Sequence, residues 1–220
     1  ARPRGRHGRI VAGPIRDPVQ AKHKAMTLHD PCRAEVPGLH LLVLPGWENS
    51  GPHHWQSRWE ALYGDVRVEQ SDWMRPLRGD WMMRLDEAIG ELEAAEESPA
   101  VALVAHSLGC QLVAAWAAHS RKTARVRAAL LVAPPDVERA EFQAPLHSFN
   151  PIVRRPLPFP SLAVISPDDP FCDPARARAM AADWGSRVLD TEPRGHLNAD
   201  SGLGDWPQGR QLLADLLASG

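Results

Sequence analysis

Ser107 lies in Val101-Ala-Leu-Val-Ala-His-Ser-Leu-Gly-Cys110, where one apolar run enters a short turn and a second leaves it. This is the strand–turn–helix setting of a nucleophile elbow. A serine in such a turn is held in a strained conformation that thrusts its hydroxyl clear of the sheet, so the residues two before and two after must be small. Ala105 and Gly109 meet that need, with Ala105 standing where glycine is usual. A helix starting at Leu108 would also set backbone N–H groups beside the serine, where a developing oxyanion needs them. Alone, the segment also fits a buried serine that caps a helix.

A serine hydroxyl becomes a strong nucleophile when a histidine takes its proton, and that histidine needs a carboxylate to fix its tautomer. In doubly wound hydrolytic folds the chain order is serine, acid, histidine, each on a loop after the carboxyl end of a strand. The sequence has that order. Pro167-Asp168-Asp169-Pro170-Phe171 follows one apolar run, and Thr191-Glu-Pro-Arg-Gly-His196 follows the next. The acid usually stands fourth in a Gly-x-x-Asp pattern, and Ser166-Pro-Asp-Asp169 puts Asp169 in that register, with Asp168 as the alternative. Upstream, Leu44-Pro-Gly-Trp47 closes the first apolar run. Its Trp47 amide is the candidate second oxyanion donor beside the Leu108 amide. The glycines there do not form the G-x-G-x-x-G of a dinucleotide site. Among the eight tryptophans, Trp47 and Trp73 fall near strand ends and are candidates for lining a substrate pocket. Trp55 and Trp59, one helical turn apart, read as core. Cys110 reads as a buried apolar thiol, not a rival nucleophile.

These residues need a scaffold, and the apolar pattern describes one. Runs of strand length at Leu39 to Leu44, Val66 to Glu69, Val101 to Ala105, Ala128 to Ala133, Leu162 to Ser166 and Val188 to Asp190 alternate with helical stretches. Those stretches are His54 to Tyr63, Asp80 to Glu97, Leu108 to Ser120, Pro174 to Trp184 and Gln208 to Ala218. Continuous apolar strands are buried on both faces, and strand–helix alternation implies parallel pairing. The expected fold class is α/β: a doubly wound, mostly parallel sheet of about six strands without a large lid domain. Seven prolines between Pro134 and Pro160 predict an irregular cap over one edge.

Composition bounds the rest. The 220 residues carry a net charge of −2, but Ala1 to Ala25 hold seven basic residues against Asp17 alone. A +6 arm therefore precedes a body of −8. The expected division is a disordered or extended basic arm over residues 1–36 and a catalytic α/β body over 37–220, with the natural start near Met26. Nucleic acid is excluded as a partner of the acidic body and left open for the arm. Three cysteines and scattered histidines give neither a disulfide framework nor a metal-site spacing, so no metal or organic cofactor is implied. Without a membrane-length apolar run or signal-like segment, the expected compartment is the cytoplasm, with no membrane partner. Oligomeric state is left open.

Taken together, Leu44-Pro-Gly-Trp47, Ser50-Gly-Pro-His-His-Trp55, Ala105-His-Ser-Leu-Gly109, Ser166-Pro-Asp-Asp-Pro170 and Gly195-His-Leu-Asn198 resemble a known family. It is the YdeN-like, or retinoblastoma-binding-protein-nine-like, family of small serine hydrolases in the α/β-hydrolase superfamily. The resemblance spans Leu39 to Ala218. It implies a compact enzyme acting on a small-molecule acyl substrate such as a carboxylic ester, with Ser107, Asp169 and His196 at the matching triad positions. An amidase, peptidase or acyltransferase would use the same triad, and a binding protein could carry it idle. The Leu-x-Cys-x-Glu motif behind the pocket-protein interaction does not carry over, because Leu108-Gly-Cys-Gln-Leu112 ends in leucine.

Overall fold

A computed structural model describes residues 29–219. The chain enters through a short helix α1 (Pro31–Glu35), then β1 (His40–Leu44), α2 (Trp55–Tyr63), β2 (Val66–Arg67) and α3 (Arg78–Ala95). It continues with β3 (Val101–His106), α4 (Leu108–Ala117) and β4 (Val126–Val132). After a proline-rich stretch holding only short 3₁₀ turns and α5 (Gln143–Leu146) come β5 (Ser161–Ile165), α6 (Pro174–Asp183), β6 (Arg187–Asp190) and α7 (Pro207–Ala218). The six strands form one sheet in the order β2-β1-β3-β4-β5-β6, with every adjacent pair parallel. Strand and helix limits differ from the sequence expectation by one to three residues. No helix among the described residues is long and apolar enough to cross a membrane.

The sheet is buried between two helical layers, as its apolar strands require. On one face α3, α4 and α6 pack Trp81, Leu85, Trp116 and Met180 against Leu42, Leu103 and Leu131. On the other, α1, α2 and α7 pack Cys32, Trp55, Trp59 and Leu213 against Leu41, Val104 and Leu130. Trp55 and Trp59 are therefore core residues, as their spacing suggests. The strand order reverses direction at β1 and β3, so the loops leaving their carboxyl ends diverge and open a crevice between them.

The expected boundary after residue 36 is corrected. Asp30 caps α1, its side chain accepting from the Cys32 N–H at 3.1 Å, and Pro31 takes the first helical position, where its missing N–H costs nothing. The helix docks on α7. Arg210, 1% exposed, donates to Asp30 at 2.7 Å and to both oxygens of Asp65, and its guanidinium lies over the Tyr63 ring at 4.1 Å. Composition misses this because Asp30 and Arg210 are 180 residues apart. The rest of the arm lies outside the described residues.

The Asp65 side chain is fully buried against Arg210. Arg210→Met should therefore leave a buried carboxylate whose remaining cation is Arg33, at 3.3 Å, and cost up to about 3–5 kcal/mol in urea unfolding, whereas Asp65→Asn in the same background should restore part of the loss. Unchanged stability of Arg210→Met would contradict the bridge.

Candidate active site

Ser107 sits between β3 and α4 with φ 53° and ψ −123°, a conformation that non-glycine residues rarely adopt. Its surroundings enforce it. Every residue of β3 is buried, the Ser107 N–H donates to the Val132 carbonyl at 2.9 Å, and α4 buries its first nine residues. Gly109 is needed because a Cβ there would overlap the Leu44 carbonyl of β1. The second small position of the elbow is thus a contact between the nucleophile's helix and the neighbouring strand.

The structure brings the three sequence candidates together. His196 Nε2 lies 2.9 Å from Ser107 Oγ, and His196 Nδ1 lies 2.9 Å from each oxygen of Asp169. Both side chains are nearly buried, at 9% exposure for His196 and 4% for Asp169. The carboxylate can only accept, so Nδ1 carries the ring proton and Nε2 faces the serine hydroxyl as an acceptor. Asp168 has a different task. Its Oδ1 accepts from Ser166 Oγ at 2.6 Å and from the N–H groups of Arg194 and Gly195 at 2.9 and 2.8 Å. These bonds tie the histidine loop to the end of β5, and the Ser166 hydroxyl and Gly195 amide hold the Asp168 carboxyl below the usual carboxylate range.

Two more imidazoles lie behind the base. His106 Nε2 donates to the His196 carbonyl at 2.8 Å, and its ring meets those of His54 and His196 edge-on at 4.6 and 4.9 Å. Burial drives the His106 pKa well down and that of His54 to about 3, so both stay neutral beside His196. The sequence reading passed over both histidines. The position of His106 directly before the nucleophile was the available signal. Phe171 packs on the other side of the His196 ring at 4.4 Å. Burial pushes the Cys110 thiol far up, and its Sγ donates to the Val132 carbonyl at 3.4 Å, which makes it inert.

The loop after β1 passes directly over the serine. A Cβ on Gly46 would stand 2.7 Å from Ser107 Cβ, so only glycine lets the backbone come this near. Trp47 follows Gly46 in this loop, and Leu108 follows Ser107 as the first residue of α4. A cavity of about 330 Å³ opens there, with Trp47, His54, Ser107 and His196 among its lining and Phe142, Leu146 and Phe171 forming an apolar wall. The Trp47 ring borders it, with Nε1–H donating to the Met74 carbonyl at 3.0 Å. Trp73 does not line the cavity, which corrects its assignment as a substrate contact. Its ring packs on Trp81 at 5.4 Å, and its carbonyl accepts from the Glu48 N–H, supporting the loop from behind.

A YdeN-like hydrolase of Pectobacterium atrosepticum superposes with a TM-score of 0.71 at 26% identity, over 85% of this chain and 95% of that one. The ydeN gene product of Bacillus subtilis gives 0.58 at 17% identity, over 81% and 97%. A carboxylesterase of Bacillus subtilis gives 0.55 at 14% identity, over 84% and 85%. The fold is thus that of the α/β-hydrolases. No curated protein matches the chain in sequence. The family model described as Serine hydrolase matches residues 41–215, which include the elbow, the Asp168-Asp169 turn and the histidine loop, and the chain belongs to that family.

Proposed function

We propose that the protein hydrolyses small carboxylic esters through a covalent acyl-enzyme on Ser107. The observation that carries this reading is the continuous set of hydrogen bonds from Ser107 Oγ through His196 to Asp169, each 2.9 Å long. In the first step Ser107 Oγ attacks the ester carbonyl and its proton passes to His196 Nε2. Asp169 holds the resulting imidazolium, and the amides of Trp47 and Leu108 donate to the oxyanion. The tetrahedral adduct collapses, His196 returns the proton to the departing alcohol, and the acyl group stays on Ser107. Water then gives a proton to His196 and attacks the acyl carbonyl, and as this second adduct collapses His196 returns the proton to Ser107 Oγ, releasing the carboxylic acid and the free serine.

Wild-type protein should be labelled by a fluorophosphonate, and Ser107→Ala should not be. Equal labelling, or none of the wild type, would overturn the nucleophile assignment and favour an idle triad. Asp169→Asn is expected to lower kcat by about 10³–10⁴-fold, because an amide can favour the wrong imidazole tautomer, while leaving thermal stability nearly unchanged. Asp168→Asn keeps an oxygen for the Arg194 and Gly195 amides and should lose far less. The reverse ranking would exchange the two roles.

The cavity volume supports a preference for short acyl chains. About 330 Å³ is near the lower end of small-molecule sites, and Phe142, Leu146 and Phe171 offer the acyl chain an apolar wall. Across p-nitrophenyl esters, kcat/KM should rise from acetyl to butyryl as buried methylenes add about 0.8 kcal/mol each, then fall at least about tenfold by decanoyl. A decanoyl ester turned over as well as butyryl would show that the chain does not bind in this cavity.

A further inference from the structure

The loop that carries Trp47 runs from Pro45 to Asn49, and one fully buried side chain holds both of its ends. Gln56, in the first turn of α2, donates through Nε2 to the Leu44 carbonyl at 3.2 Å and to the Val104 carbonyl at 2.9 Å. Its Oε1 accepts from Ser50 Oγ at 2.8 Å. The amide orientation is forced, because two carbonyls can only accept and the nitrogen must face them. Leu44 precedes the loop and Ser50 follows it, whereas Val104 lies three residues before Ser107 on β3.

The backbone does not hold this junction alone. Leu44 and Ala105 are the last paired residues of the β1–β3 ladder, and Pro45 follows with no N–H to extend it. Here the two chains separate, one toward Trp47 and the other toward Ser107 and Leu108. Oxyanion stabilisation depends on donors fixed within about 0.5 Å of the reacting oxygen, so a hinge at this point would cost rate. Other contacts brace the loop end held by Gln56. The Ser50 carbonyl accepts from Ser57 Oγ and from Arg67 Nη1, each at 3.0 Å.

We propose that Gln56 is the positioning residue of the oxyanion hole, fixing the loop of Trp47 to the strand of Ser107 with one amide. The proposal rests on the reading of the Trp47 and Leu108 amides as oxyanion donors. It assigns Gln56 no contact with substrate. Its loss should therefore weaken binding of the tetrahedral state while leaving ground-state binding intact.

The test uses the full chain with Gln56→Met and Gln56→Glu, after circular dichroism shows which variants are folded at the assay temperature. For Gln56→Met, kcat on p-nitrophenyl butyrate should fall about 10–100-fold, and affinity for butylboronic acid, which forms a tetrahedral adduct, should fall in proportion. Affinity for an unreactive butyramide analogue should stay within about threefold. In Gln56→Glu the introduced carboxyl donates to a carbonyl only while protonated, and burial raises its pKa. Its kcat profile should therefore gain an alkaline limb that the wild type lacks, and this limb decides the matter if the methionine variant does not fold. The proposal is overturned by a kcat for folded Gln56→Met within about threefold of wild type, or by equal loss of boronic acid and butyramide binding. It is also overturned by a Gln56→Glu profile matching wild type, or by failure of both variants to fold. Failure of the underlying reading would show separately, as wild-type protein that a fluorophosphonate does not label.

Discussion

The site depends on a single distance: Ser107 Oγ and His196 Nε2, 89 residues apart in the chain, must stand at hydrogen-bond length. Neither residue can arrange this locally. Ser107 hangs from the end of β3 in a conformation that costs roughly 1–3 kcal/mol, and His196 hangs from the loop after β6 at the edge of the sheet. What fixes them is the parallel ladder between, which brings the carboxyl ends of β3, β4, β5 and β6 to one side with set registers. The strained serine survives because β3 is wholly buried, Gly109 packs on the Leu44 carbonyl, and the Val132 carbonyl takes the serine N–H. Strain at Ser107 is thus offset by a fully buried strand and a nearly fully buried helix on either side of it.

From that distance follows a division of labour between adjacent carboxylates. Asp169 is almost buried and gives both oxygens to the imidazole; Asp168 stands in solvent and gives one oxygen to three donors that shape the histidine loop. Two ionised groups side by side would compete for one imidazole if they faced it together. The turn gives them different partners on one loop, the imidazole for Asp169 and the backbone just before it for Asp168. The same economy of charge explains the neutral histidines: His106 holds the His196 backbone and His54 lines the cavity, and burial keeps both from taking protons next to the base.

How much of this could be read from the chain follows from the range of each interaction. The six strands and the elbow were legible because they are written in contiguous apolar runs and in residues two positions apart. The meeting of Ser107, Asp169 and His196 was legible because fold topology fixes their order, and register at the strand end favoured Asp169 while leaving Asp168 as the alternative. Residues 30–36 were not, since a helix of five residues shows no periodicity of its own and its anchor, Arg210, lies in α7. Trp73 failed as a pocket residue because being near a strand end does not say which way a ring turns, and Trp81 was there to receive it. Gln56 gave no signal at all. A glutamine in an amphipathic helix looks like any surface polar residue until the carbonyls of two strands are found around its amide.

The groups around Ser107 and the wall of the cavity share a core but differ in what else holds them. Ser107, His106, His196 and Gln56 are fixed by short hydrogen bonds in a buried, largely neutral setting, where salt has little reach. Phe142 and Leu146 instead come from the proline-rich stretch between β4 and β5, whose flanks are pinned by ion pairs near the surface. Arg176 bridges Asp136 and Glu138, and Arg154 joins Glu138 at 2.9 Å to Asp183 at 3.0 Å. Each pair is part-exposed, and such bridges contribute little singly. Leu146, Phe149 and Ile152 of that stretch are nevertheless buried in the same core cluster as Ala105, Leu108 and Cys110, and Phe142 packs against it. Changes to these apolar side chains are therefore felt at the elbow, whereas changes to the part-exposed ion pairs on the flanks are not, because packing transmits strain and screened surface pairs do not.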